Sequence, residues 1–121
     1  MPILRVEIVE VPGWTRPPDL AQRIANLVGQ ALSAPAQSVW IRLSTIAAAD
    51  YAENGTAPAD AAPVFVTILE KSPPDGEALT AEIAALTAAI AEACDRAPGD
   101  VHLIYEPPGR GRVSFGGRLL T

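Results

Sequence analysis

VEIVE at residues 6–10 returns as VTILE at residues 66–70, and that echo decides how the rest of the chain is read. In ILRVEIVE (3–10), Leu4, Val6 and Ile8 alternate with Arg5 and Glu7. That is the period of a strand with one face buried. RPPDLAQR (16–23) follows the first copy and SPPDGEAL (72–79) follows the second. Each sets prolines at the start of a helix, where a missing N–H costs little. Leu20, Ile24, Leu27, Val28, Ala31 and Leu32 then recur at helical spacing, as do Leu79, Ile83, Leu86, Ile90 and Cys94. SAPAQSVWIRL (33–43) and RAPGDVHLIYE (96–106) close the two units with a helix stop and a second strand. With Val101 set against Val39, His102 corresponds to Trp40 and Ile104 to Arg42. YAENG (51–55) and VSFGG (113–117) read as matching hairpin turns. The Ala/Pro-rich TAPADAAP (56–63) joins the halves.

Two tandem β-α-β units, about 2–60 and 62–121, therefore make an α+β domain spanning 1–121. Right-handed crossovers put parallel strands in each unit and both helices on one face of a mostly parallel four-stranded sheet. The opposite face carries Arg5, Glu7, Trp40, Arg42, His102 and Ile104. It is too apolar to be simply solvated and too charged for a core, so it is expected to meet another subunit.

The totals narrow the function. At 121 residues with 49% hydrophobic content, the chain has enough apolar side chain for a modest core. A net charge of −5 with no basic stripe argues against nucleic acid as a partner. No apolar run reaches the length of a membrane span, and no secretory leader is visible. The single cysteine rules out an internal disulfide, and a cytoplasmic location is expected.

Pro2 poses the chemical question. A proline is tolerated at the first position of a strand. If Met1 is removed, however, Pro2 becomes a free secondary amine held at the end of a rigid strand. Such an amine titrates near 7.7–8.0 when unperturbed. Neutral, it abstracts a proton beside a carbonyl; protonated, it is a general acid.

With Met1-Pro2 leading into a strand, the duplicated unit, the APAQSV link (34–39) and the terminal PGRGRVSFGG (108–117) all in place, the chain resembles the tautomerase superfamily. That group includes 4-oxalocrotonate tautomerase, migration inhibitory factor, malonate semialdehyde decarboxylase and the 3-chloroacrylate dehalogenases. The resemblance covers the whole chain. It implies a tautomerase/migration inhibitory factor-like fold, a homotrimer, no cofactor, and Pro2 as catalytic group on a small carboxylate substrate; no metal is expected, since His102 has no second histidine or cysteine at ligand spacing.

The same resemblance assigns the other positions. Tyr51 matches an aromatic lining the pocket, and His102 falls where migration inhibitory factor carries an active-site tyrosine. Both are candidate catalytic groups, with hairpin packing and a structural histidine as the alternatives. Arg42 is a candidate carboxylate clamp, or an ion-pair partner for a residue such as Glu7. Trp40 stands where the 4-oxalocrotonate tautomerases keep a strand arginine, and walls the pocket or an interface. Their loop arginine falls on Pro12, with Arg16 nearby. Lys71 matches one carboxylate-binding arginine of the decarboxylase branch, whose second falls on Pro73 and whose aspartate falls on Ser38. Arg112, with Arg110, is a candidate on the last hairpin, and Asn54 a minor one. Cys94 reads as core.

The expected function is keto–enol tautomerisation of a small 2-oxo or 2-hydroxy-alkenoate. A hydratase, dehalogenase or decarboxylase acting on an unsaturated or 3-oxo acid is one alternative. A non-catalytic trimer that binds a ligand or partner is the other.

Overall fold

The computed structural model describes residues 2–56 and 60–121. In chain order it forms β1 (Ile3–Val9), α1 (Leu20–Ala31), β2 (Trp40–Ile46), β3 (Val64–Leu69), α2 (Gly76–Cys94), β4 (Val101–Tyr105), β5 (Ser114–Phe115) and β6 (Arg118–Leu119). The main sheet has the order β2-β1-β3-β4. β1 runs parallel to β2, β3 runs parallel to β4, and the two halves meet antiparallel through β1 and β3. Each parallel pair is spanned by one helix, as strand–helix–strand crossovers require.

The alternation read from the sequence sets which face is buried. Leu4, Val6, Ile8, Val64, Val66 and Ile68 are sealed against the helices. In α1, Leu20, Ile24 and Val28 stand one turn apart and meet them. In α2 the buried residues run from Leu86 to Cys94. Ile83, expected on the same stripe, is instead 38% exposed. The first turns of α2 overhang the core, so helical spacing alone does not bury them. Burial of each large aliphatic side chain stabilises the fold by roughly 1.5–3 kcal/mol.

The link between halves is pinned by one side chain. α2 ends at Asp95 in the left-handed region (φ 53), and the Arg96 N–H donates to the Ala91 carbonyl at 3.0 Å. The Arg96 guanidinium then donates to the carbonyls of Ala62 (2.8 Å) and Val9 (3.0 Å) and lies 5.2 Å from the Trp14 ring centroid.

Of the two expected hairpins, one forms. Gly116 (φ 58) and Gly117 (φ 90) make the two-residue turn between β5 and β6. The YAENG segment makes no hairpin among the described residues. A 3-10 turn at Ala48–Asp50 precedes it, and residues 51–56 form no strand. The Asn54-Gly55 turn is followed by an Ala/Pro-rich stretch of low strand propensity with few free donors. Residues 57–59 of the joint lie outside the described residues.

The repeat register also needs a correction. Val6 pairs with Leu43, and Val66 pairs with Leu103. Since Val6 and Val66 are repeat equivalents, His102 corresponds to Arg42, not Trp40. The link from Pro98 to β4 is shorter than the link from Pro35 to β2, and that displaces the match. Among the described residues no helix is long and apolar enough to cross a membrane.

Candidate active site

The sheet face turned away from the helices is ordered in rows by the strand pairing. Trp40, Ile3 and Leu69 form the row nearest the start of β1. Arg42, Arg5, Thr67 and Ile104 form the next. Ser44, Glu7, Phe65 and His102 form the third. Outward placement of Trp40, Arg42, His102 and Ile104 agrees with the sequence reading.

A cavity of about 220 Å³ opens across the first two rows, lined by Ile3, Arg5, Arg42, Thr67, Leu69, Glu106, Arg112 and Val113. The terminal segment reaches back over the sheet to complete it. The Gly109 N–H donates to the Glu70 carbonyl at 2.8 Å, and that of Arg110 donates to the Lys71 carbonyl at 3.2 Å. Arg112 is held by bonds to the carbonyls of Pro107 (3.2 Å) and Pro108 (3.3 Å). Three guanidinium groups and one carboxylate thus share a small space. Fork-shaped donors of this kind match a carboxylate. A larger groove of about 840 Å³ runs between α1 and the β2 edge, but no charged side chain lines it.

Trp40 borders the cavity's row and packs edge-on against Phe115, with centroids 5.3 Å apart. Lys71 lies two residues beyond Leu69, so the antiparallel register carries it toward the same end of the sheet as Pro2. Pro2 itself is buried and directly precedes Ile3 in the cavity wall. Its carbonyl accepts from the Trp40 N–H at 3.1 Å, which fixes the start of β1 against β2.

His102 and Tyr51 sit elsewhere. Phe65 stands between them, its ring 5.5 Å from His102 and 6.1 Å from Tyr51, centroid to centroid. The Tyr51 hydroxyl donates to Glu53, and that bond raises its pKa. This aromatic group belongs to the third row. Five residues of strand at about 3.3 Å each separate it from Pro2, or roughly 16 Å. Within one protomer, Pro2 and the pair Tyr51–His102 do not share a site. Asn54 is exposed in the loop beyond Tyr51 and does not line the arginine cavity.

Two features escaped the sequence reading. Arg5 was placed on the correct face, but nothing local marks it as converging with Arg42 and Arg112. On the helix side, Glu70 meets Glu82 of α2, and Glu82 accepts from the Tyr105 hydroxyl at 2.8 Å. Burial and then Glu82 push the Glu70 carboxyl up to about 8. A glutamate continuing the inward alternation of Val64, Val66 and Ile68 was the available signal. Cys94 is buried as expected, and burial pushes its thiol up to about 11. Among the described residues no three His, Cys, Asp or Glu are grouped to hold a metal.

No family model and no curated protein sequence matches the chain. Solved structures do. A fused 4-OT, a wild type symmetric trimer, is 24% identical, with 97% of this chain and 94% of that chain covered and a TM-score of 0.74. Macrophage migration inhibitory factor from Oncomelania hupensis is 18% identical, with 100% and 83% covered and a TM-score of 0.73. The FG41 malonate semialdehyde decarboxylase, inhibited by 3-bromopropiolate, is 19% identical, with 94% and 88% covered and a TM-score of 0.68. At these identities the likeness is one of fold, and that fold is the one tautomerase-superfamily proteins share.

Proposed function

We propose that this chain is an enzyme of the tautomerase type, in which Pro2, freed of Met1, moves a proton on a small 2-oxo or 2-hydroxy-alkenoate. The observation that carries the reading is the cavity at the Pro2 end of β1, where Arg5, Arg42 and Arg112 converge on about 220 Å³. A volume of that size suits a short-chain acid. The guanidinium groups bind its carboxylate, which leaves the adjoining 2-oxo or enol carbon toward the proline nitrogen. Proton transfer at that carbon interconverts the keto and enol forms.

The reading also includes assembly as a homotrimer from single-domain subunits. Trp40 (49% exposed) and Ile104 (54% exposed) lie on the uncovered sheet face. β2 and β4 are edge strands of this sheet and offer unpaired backbone to a neighbour. His102 and Tyr51 act in catalysis only if a subunit boundary brings them to another protomer's Pro2. Lys71 and Trp40 belong to the near site by position, and Asn54 to the remote one.

One observation favours a second reading. Glu106 lines the same cavity as the three arginines. A carboxylate there suits activation of water, so addition of water to an unsaturated acid, or decarboxylation of a 3-oxo acid, uses the same binding groups.

The test begins with the intact mass of tag-free protein. Loss of one methionine residue is expected. Pro2→Ala, processed in the same way, is then expected to lose at least a hundredfold in kcat/KM with 2-hydroxymuconate or phenylenolpyruvate, roughly the smallest contribution of a positioned acid or base. A halopropiolate reagent is expected to label Pro2. Retention of Met1, or full activity in the variant, overturns the reading and brings the non-catalytic binding trimer forward.

A further inference from the structure

Glu70 follows Leu69, the antiparallel partner of Ile3. One more step in that register sets Glu70 opposite Pro2. Their carbonyls point apart: Pro2 accepts from Trp40 on one side, and Glu70 accepts from Gly109 on the other. Pro2 and Glu70 therefore form a pair of the non-hydrogen-bonded kind, in which facing side chains come closest, with Cα atoms about 4.5 Å apart. Strand alternation turns both toward the helices.

Behind Glu70 stand Glu82 of α2 and Tyr105 of β4, joined by a 2.8 Å bond from the tyrosine hydroxyl. The Glu70 and Glu82 carboxyls are in hydrogen-bonding contact, and burial with this neighbour pushes Glu70 up to about 8. Two carboxyls so placed share one proton near neutral pH and carry one negative charge between them. Glu70 Oε1 is buried and has no hydrogen-bond partner among the described residues. Other charged groups in the vicinity point elsewhere. Lys71 lies in the bend after β3 and makes no side-chain hydrogen bond to Glu70 or Glu82, Glu106 and Arg112 line the outer cavity, and Arg110 donates to Ser72. Among the described residues no cation is bonded to Glu70 or Glu82.

We infer that Glu70, backed by Glu82 and Tyr105, is a positioning residue for the Pro2 nitrogen: the carboxyl pair holds that amine as an ammonium and sets the proline to give a proton before it takes one. The inference rests on the reading of Pro2 as a free amine. It deepens that reading by favouring chemistry that starts with protonation of a substrate carbon. The negative charge the pair retains is the missing counter-ion of the ammonium.

Titration of the amine itself tests this without reference to turnover. The chain has 12 prolines, and once Met1 is removed Pro2 alone has an amine nitrogen. In 15N-proline-labelled protein, its resonance is followed by NMR from about pH 6 to about pH 11. The expected midpoint is about 9 or higher, against about 7.7–8.0 for an ordinary α-amino group. Glu82→Gln leaves one charge on Glu70 and keeps the midpoint high. Glu70→Gln combined with Glu82→Gln brings it to about 8 or lower, and Glu70→Asp restores it. A wild-type midpoint at or below about 8, or a double variant that titrates like wild type, overturns the inference. An absent amine resonance overturns it together with the reading of Pro2. A high midpoint with undiminished turnover in Pro2→Ala instead leaves the carboxyl pair standing and removes only the catalytic role of Pro2.

Discussion

Glu70→Gln should make the protein more stable at alkaline pH while leaving it nearly unchanged in acid. The Glu70 carboxyl is raised from an ordinary 4.5 to about 8, first by burial and then by Glu82. Between those values the folded chain holds a proton that the unfolded chain has released. Stability from this group is full below about 4.5, falls as pH rises through the window, and is gone above about 8. At about 1.36 kcal/mol per pH unit, the gap sets a ceiling of about 5 kcal/mol. Glu70 is only half-buried and shares its proton with Glu82, so solvent screening and coupling reduce the expected effect to about 2 kcal/mol. Glutamine keeps the shape and cannot ionise. Urea unfolding at fixed protein concentration, at about pH 5 and about pH 9, reads the effect directly. Wild type should lose about 2 kcal/mol more than the variant between the two conditions, or roughly 8 °C in melting temperature for a chain of this size. Equal pH dependence in the two proteins, or a wild type that gains stability relative to the variant as pH rises, refutes the placement of Glu70 beside Glu82.

Arg42→Ala and Arg112→Ala should each raise KM for a carboxylate substrate by tenfold or more, the worth of a charge-assisted hydrogen bond. Steady-state kinetics showing kcat lost and KM unchanged would place these arginines outside the binding step. Arg96→Ala removes two bonds to the carbonyls of Ala62 and Val9 and the contact with Trp14. Chemical denaturation should show about 2–3 kcal/mol less stability, because two part-buried carbonyls lose their donor. Arg96→Lys should recover less than half, since an ammonium cannot span both acceptors. Cys94 is 3% exposed with its thiol pushed up to about 11. At about pH 8 a thiol reagent should modify native protein at least a hundredfold more slowly than urea-unfolded protein. Comparable rates would place the thiol at the surface.

The fold was readable because its signals are local and repeated. Alternation at Leu4, Val6 and Ile8 marks the buried face of β1, and the same face is sealed in the structure. Helical spacing at Leu20, Ile24 and Val28 does the same for α1. Gly116-Gly117 specifies a turn that only residues tolerant of positive φ adopt. Errors arose where a local signal needed a distant partner. YAENG has the residues of a turn, but a hairpin also needs a following strand, and the Ala/Pro-rich joint supplies none among the described residues. Ile83 has the spacing of a buried position, yet nothing in α2 itself reveals that its first turns overhang the sheet.

The candidate site divides in the same way. Sequence alone set Arg42, Trp40, His102 and Ile104 on one sheet face, because a strand alternates whatever surrounds it. It also placed Pro2 at the head of β1. Only the tertiary structure decided which of these residues are neighbours. Antiparallel pairing of β1 with β3 brings Arg5 to Thr67 and carries Glu70 to Pro2, while the terminal segment folds Arg112 over the cavity. The same pairing moves His102 and Tyr51 roughly 16 Å from the proline, a separation set by strand rise. Distance along the chain carries no record of these juxtapositions. They depend on which strand edges meet and in what register, and that is fixed by burying both helices against one common sheet.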